Sequence, residues 1–514
     1  MTPISLVSPG FMGLNKQSEA SILPPVWATE ATNCVFDEAG RLAARKGYTV
    51  VTSSAISGSP TVDQIVEMRK LDDSTIIVFS TSNSKLYKDP SSPADITGTA
   101  TVTVGSNWQF VNFNGKLYGF QQGEQPIVYD GTTSFADLVA ASGTAPTGNC
   151  GLSFAGRLWG STSNNQVLKY SALLDATKWA NADGAGSFDL TSVWPNGTDS
   201  IQALAVFNGQ LVIFGRNSIL FYTDGTGSAL GINPANAYVS DFTGSLGCIA
   251  RDSVQEIEGS DMLFLSASGV QSLSKVIQEK SNPIDNVSKN IRDYLNDSSQ
   301  AETKSKIRSC YSPEHSFYLL SFPTAQKTFC FDTSGRLQDG SLRATEWRLY
   351  PIALAHTYSG TVYMALASVA GKVGTYSGYL DNTSTYDMAY SSPWLDLGGE
   401  TGEMVNYLKI IKNITSTVFT GVETPVALKW DIDFAGSFNS ATGTTGEAEG
   451  DAEWGEDEWG LGEWSGGSVA LSKINVSTYG TGQFYRIGLQ TTINNSPFAV
   501  QQINLFTKIG RLAK

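Results

Sequence analysis

The densest run of chemically capable side chains lies between residues 447 and 464. Eight carboxylates fall there, Glu447, Glu449, Asp451, Glu453, Glu456, Asp457, Glu458 and Glu463, with no basic residue among them. Trp454, Trp459 and Trp464 are interleaved at a spacing of five. Three readings suit such a run. A block of like charge is most often a solvated loop. Carboxylates are also the ligands of calcium, but the Asp-x-Asp-x-Asp-Gly spacing of a calcium loop is missing. The third reading is a negative surface that repels phosphate, with the indole rings as hinges or plugs. Residues 395–465 carry 14 acidic and 3 basic side chains, a net −11. The whole chain has 34 basic and 48 acidic residues, a net −14, so most of the imbalance sits in this one stretch.

Catalytic constellations are sparse. The only histidines are His315, in a Pro-Glu-His-Ser turn, and His356, in an apolar strand. A lone histidine is more often structural than part of a Ser–His–Asp set. No Gly-x-x-x-x-Gly-Lys-Ser/Thr loop occurs, and Gly225 to Gly231 misses the Gly-x-Gly-x-x-Gly spacing. The Ser-x-Asp-x-Gly-x-Thr-Trp box of sialidase propellers is absent, although a glycosidase needs only two carboxylates that converge in a pocket. Cys34, Cys150, Cys248, Cys310 and Cys330 are scattered without a Cys-x-x-Cys pair, which argues against a disulfide framework or zinc site and for reduced thiols made in a cytoplasm. No enzyme activity, metal or cofactor is predicted. The acidic balance also argues against a protein that grips duplex DNA through its phosphates, but not against one that lets DNA pass.

The elements that hold these residues are strands. Charged residues are 16% of 514 and apolar residues 41%, which excludes a disordered chain, a coiled coil or a highly charged adaptor. Gly is 51 of 514, implying many turns. A hairpin pattern recurs as Phe113-Asn114-Gly115-Lys116-Leu117-Tyr118, Phe154-Ala155-Gly156-Arg157-Leu158-Trp159 and Phe207-Asn208-Gly209-Gln210-Leu211-Val212, and more weakly from Tyr358. Asn-Gly takes positive φ cheaply, so two strands reverse over two residues. Degenerate copies begin at 71, 257 and 311, giving seven cues at intervals of 41 to 54 residues. A further strand follows each cue by ten to twelve residues, often ending in Tyr or Phe. That period predicts an all-β protein: a β-propeller of six to seven blades over 61–385.

Segments 140–200 and 225–250 are expected to be insertions or long loops. One helix is predicted from Pro283 to Asp297, with Asn282 as N-cap and an apolar stripe of Ile284, Val287, Ile291 and Leu295. Residues 1–60 carry no blade cue and read as an extended segment that wraps a neighbour or closes the first blade. Residues 390–514 alternate, as in Trp430 to Phe434 and Phe484 to Leu489, and predict an additional C-terminal antiparallel β-sandwich-like domain holding the acidic Trp loop. Neither a signal peptide nor a membrane span is predicted.

Several motifs then resemble the tail nozzle, or tail hub (tail tubular protein B-like), proteins of short-tailed bacteriophages. They are Gly13-Leu14-Asn15, Leu23-Pro24-Pro25, Ala28 to Asn33, and Gly40-Arg41-Leu42-x-x-Arg45-x-Gly47 near the start. Phe207 to Tyr222, Gly244 to Cys248, Leu263 to Val270 and the ending Phe484-Tyr485-Arg486, Ser496-Pro497-Phe498 and Lys508 to Arg511 continue the likeness. The resemblance implies a virion protein of the phage tail, assembled in the host cytoplasm. It implies a hexamer that joins a tail adaptor ring and carries tail fibres or tailspikes. Viral double-stranded DNA would pass through its lumen without specific binding, and the acidic Trp residues would be channel or gate candidates. The competing expectation is a carbohydrate-binding or glycoside-active propeller.

Overall fold

The computed structural model describes residues 2–5, 11–103, 105, 107–224, 234–279, 286–396, 406–446 and 470–512. From residue 62 the chain builds seven antiparallel units in succession. The first is Val62–Arg69, Thr75–Thr81, Lys85–Lys88 and Ala94–Asp95. The second is Gln109–Phe113, Lys116–Phe120, Ile127–Tyr129 and Ala136–Asp137. The third is Gly151–Phe154, Arg157–Ser161, Val167–Tyr170 and Gly186–Asp189, and the fourth Ile201–Phe207, Gln210–Gly215, Ser218–Asp224 and Ala237–Gly244. The fifth has three strands, Gln255–Ile257, Asp261–Ser266 and Gly269–Ser272. The sixth is Arg308–Ser312, Phe317–Phe322, Lys327–Asp332 and Arg343–Trp347, and the seventh begins with Pro351–His356, Val362–Leu366 and Gly374–Tyr376.

Each of the seven sequence cues lies at the turn between a unit's first and second strands. At three of them both turn residues have positive φ: 49° and 69° at Asn114-Gly115, 52° and 68° at Ala155-Gly156, 50° and 73° at Asn208-Gly209. These are the mirror-image turns whose twist matches that of paired strands. Phe113, Phe154 and Phe207 each end the first strand of their unit. The strand expected after each cue is the third of the unit.

The first strands meet in cyclic order, the fourth reaching the fifth unit through the turn Arg251–Ser253, and the seventh unit returns to the first. Every seam holds its own apolar cluster. Between units three and four it joins Trp159, Leu168 and Tyr170 to Ile201, Leu211, Ile213 and Tyr222. At the closing seam Ala353, Ala365 and Val373 meet Val62, Ile65 and Phe79. A sheet with both faces covered explains the runs of continuously buried residues, such as Phe317–Phe322, in place of clean alternation. The last strand of unit seven comes from far upstream: Tyr48–Val50 pairs antiparallel with Gly374–Tyr376 and closes the ring.

Two larger sheets lie beyond the ring. One orders Ala470–Ser477, Tyr407–Thr420, Phe498–Leu512, Leu42–Ala44 and Cys34–Phe36. The other continues from unit six through Glu30–Thr32 to Tyr386–Ser391, Tyr485–Ile493, Pro425–Ile432 and Asn439–Thr444. Their facing side chains form one core that includes Ile414, Val418, Leu428, Trp430, Ile487 and Ile503.

Three expectations are corrected. The stretch 140–200 is largely the third unit, not an insertion, and Ala237–Gly244 is the outer strand of the fourth. The helix expected from Pro283 to Asp297 is instead a short 3-10 turn, Lys289–Ile291, followed by α2, Arg292–Ala301; its expected start lies outside the described residues. The apolar stripe still decides burial, because Val287, Ile291 and Leu295 pack on units five and six. An unpredicted helix, α1, Leu273–Glu279, follows the fifth unit directly and buries Leu273 and Val276 against unit four.

Candidate functional site

Thr445 and Ala470, on either side of the acidic segment, are both held at the two-sheet core. On one side Thr445 donates its backbone N–H to Thr424 O (3.1 Å), while Thr424 N–H donates to Thr445 Oγ1 (2.8 Å). On the other side Ala470 pairs with Thr420, whose hydroxyl is 3.3 Å from that of Thr424. Both roots are therefore tied to one small threonine cluster. The strands on either side of the segment, Asn439–Thr444 and Ala470–Ser477, lie at the edges of the two sheets. Glu447, Glu449, Asp451, Glu453, Trp454, Glu456, Asp457, Glu458, Trp459, Glu463 and Trp464 all lie outside the described residues.

Of the two histidines, 41 residues apart in sequence, His356 reaches a carboxylate. His356 Nε2 lies 2.7 Å from Glu314 Oε2, and Ser312 donates its hydroxyl to the same oxygen at 3.2 Å. In a serine hydrolase the imidazole stands between serine and acid. Here the carboxylate stands between serine and imidazole, so this base does not activate Ser312. His315 packs on Phe317 and Tyr376, and burial, then the Lys46 charge, pull it below the ordinary histidine value. All five cysteines are buried and unpaired. Burial pushes the Cys150 thiol up to about 11 and that of Cys310 to about 12, so they stay neutral and inert as nucleophiles. Among the described residues no group of three or more His, Cys, Asp or Glu side chains is placed to hold a metal ion. No helix among them is long and apolar enough to cross a membrane.

The ring's axis is where the structure concentrates polar contacts that the sequence did not announce. Arg251, just before the fifth unit, is 7% exposed. Its guanidinium donates to Asn107 O (2.8 Å), Asn149 O (2.6 Å), Asn107 Oδ1 (3.0 Å) and Trp108 O, the entries to the second and third units. Asp252 accepts from Arg251 Nε at 2.7 Å and from Arg308 Nη1 at 3.0 Å. Arg308, entering the sixth unit, reaches back to Asp63 O of the first at 3.2 Å. Burial lowers the Arg308 pKa and raises that of Asp63. One Arg–Asp–Arg network thus ties five units across the axis. No local pattern flags Arg251, because its partners lie 102 and 144 residues away.

A closed ring of seam-packed antiparallel units with a polar axis is a β-propeller. A family model described as bacteriophage P22 Gp10, beta-propeller, matches residues 63–385, well over half of the chain. The chain belongs to that family, the tail nozzle or hub-type propellers of short-tailed phages, and is a structural component of the phage tail. No curated protein matches it. Among solved structures it is similar to the computationally designed Ika8 protein (10% identity, 64% of this chain and 100% of that one, TM-score 0.37). A protein from Lactobacillus plantarum is similar at 12% identity, over 64% of this chain and 92% of that one, with a TM-score of 0.35. YCF48 bound to D1 peptide is similar at 8% identity, over 63% and 94%, with a TM-score of 0.37.

Proposed function

We propose that this chain is the nozzle subunit of a short-tailed phage. Six copies form a ring around the DNA path, docked to the tail adaptor ring and carrying tail fibres or tailspikes outside. The ring retains the packaged genome and lets double-stranded DNA pass during ejection. The observation that carries the reading is the Arg251–Asp252–Arg308 network. With guanidinium groups bonded across the propeller axis, a duplex finds no way through a single chain. A conduit built from this family must run between copies.

The chain is read as a seven-bladed propeller over 61–385, entered by the 1–60 segment and followed by a two-sheet sandwich over 390–514. Seven seams, each with a separate core, support the blade number. In this reading the carboxylates of 447–464 face the lumen. Six copies of eight carboxylates give phosphates no partner to stall on, and the three tryptophans help to close the path. Replacing Glu456, Asp457 and Glu458 by Lys is expected to slow DNA release from filled particles, most at low salt where screening is weakest. Replacing Trp454, Trp459 and Trp464 by Ala is expected to make filled particles leak. If both variants package, retain and release DNA like the parent at every salt concentration, the segment is an ordinary solvated loop. The hexamer is tested by mixing purified protein with adaptor rings and measuring the mass of the product.

A further inference from the structure

Where the propeller meets the two-sheet core, a small polar cavity of about 230 Å³ opens beside the strand Glu30–Thr32. Four separate parts of the chain line it: Lys16 from the N-terminal segment, Tyr294 from α2, Lys327, Glu346 and Arg348 from unit six, and Arg486 from the second sheet. Its floor, Leu14, Thr29, Ala31 and Thr32, is buried. Four cations face two carboxylates, Glu30 and Glu346, so 4 − 2 leaves a net +2 in a chain whose overall charge is −14.

The charges present do not satisfy one another. Glu346 is taken by Lys327 Nζ at 2.6 Å and by the Tyr294 hydroxyl at 2.9 Å. Arg486 donates to Thr29 Oγ1 at 2.8 Å and to Ser392 O at 3.3 Å, neither of which carries charge. Glu30 accepts from the Ser391 hydroxyl at 3.2 Å. Among the described residues the Lys16 ammonium has only the Tyr294 ring, 5.8 Å away, and the Arg348 guanidinium has no hydrogen bond or ion pair. Burial draws Lys16 below the ordinary lysine value; Glu346 and Glu30 oppose this, while Arg486 and Lys327 add to it. Like charges gathered round a polar cleft repel one another unless an anion sits between them. A guanidinium beside an ammonium is the donor set that oxyanions select.

We propose that this cavity is an oxyanion site, filled by one phosphate or carboxylate group held between Lys16, Lys327, Arg348 and Arg486. Because the four cations come from the N-terminal segment, unit six and the second sheet, the bound group ties the propeller to the two-sheet core. A free phosphate and a carboxylate side chain from another protein chain present the same chemistry to the cavity, and they are separated by the probe.

The test is calorimetric titration of the full-length protein at constant ionic strength in chloride. One arm uses inorganic phosphate, the other a glutamate capped at both ends so that only its side-chain carboxylate is charged. Saturable binding of phosphate alone identifies a phosphate site; binding of the capped glutamate, alone or with phosphate, identifies a site that accepts a protein carboxylate. Lys16→Gln and Arg348→Gln are each expected to weaken binding at least tenfold, and together to abolish it. Among the described residues neither side chain has a hydrogen bond or ion pair to lose, so the thermal midpoint in chloride should stay that of the parent. Arg348→Lys keeps the charge and should retain weaker binding. No saturable heat for either probe, or full affinity in the double variant, overturns the proposal.

Discussion

The propeller and the two-sheet core are both antiparallel β-structure, yet they are assembled by opposite rules. Around the ring six of the seven seams join units adjacent in sequence, and each unit carries its own local reversal between its first and second strands. The two-sheet core gathers strands from both ends of the chain: Ala43 pairs with Ala499, and Thr32 with Ala389. Local contacts form quickly, whereas distant ones must first overcome loop-closure entropy. The ring is therefore expected to take shape before the core, which waits on residues 11–44. Arg45 sits where the two regions meet. Fully buried, it donates through Nη1 and Nη2 to Asp381 (2.9 and 2.6 Å) and through Nε to Asn33 (3.0 Å), and it lies 4.2 Å over the Tyr386 ring.

The largest expected effects break one region and spare the other. Trp430, 1% exposed, fills the two-sheet core and donates its indole N–H to Tyr479 O at 3.0 Å. Trp430→Ala should cost about 3–5 kcal/mol, and hydrogen exchange should quicken in 407–505 well before 62–376. Trp159→Ala, in the seam between units three and four, should cost a similar amount with the reverse exchange pattern. If either variant loosens both regions equally, the two are one cooperative unit.

Next in size is the coupling itself. Arg45→Ala leaves the Asp381 carboxylate without its bidentate partner. Removing one member of a buried pair costs about 3–5 kcal/mol, and the lower end applies because the Asp381 side chain is 20% exposed. Calorimetry is expected to resolve one melting transition into two; a single transition at the parent's midpoint would show that Arg45 does not join the regions.

A smaller effect tests the repeated turn. Gly115 has φ +69°, and a β-carbon there would lie 2.7 Å from Leu71 Cγ. Gly115→Val is expected to cost roughly 1–2 kcal/mol for backbone conformation alone, read as a lower denaturant midpoint with an unchanged slope. The equivalent Gly209 meets nothing within 4 Å, so Gly209→Val should show the backbone cost without the clash.

The smallest effect is one of pH. His315 is held below its ordinary 6.5, first by burial and then by Lys46 and His356, with Glu314 opposing. The unfolded chain therefore takes up the proton first, and stability should begin to fall as pH drops through 6.5. Burial pushes Glu314 up, but its own backbone N–H, His356 and Ser312 outweigh that and hold it below 4.5. Its contribution is present above that value and is lost as pH falls through the depressed one. His315→Gln should remove the upper step of the decline and Glu314→Gln the lower, in thermal melts from pH 8 to 3.

The sequence by itself determined the ring's reversals. Phe-Asn-Gly at 113 and 207, and its weaker forms at 71, 257, 311 and 358, mark turns whose cause is local: one or two residues that accept positive φ between two apolar strands. The burial of Val287, Ile291 and Leu295 was legible for the same reason, although the helix limits were not, since a 3-10 turn and an α-helix present nearly the same stripe. The acidic segment was legible as charge and aromatic spacing alone. Only the tertiary structure decided which distant residues meet. Tyr48 closes a unit whose other strands begin 303 residues later, at Pro351. Arg251 crosses the axis to Asn107 and Asn149, and Lys16, Lys327, Arg348 and Arg486 share one cavity. Such meetings leave no period in the sequence, because each depends on ring closure and on the return of both chain ends to one core, not on the conformational preference of any short stretch.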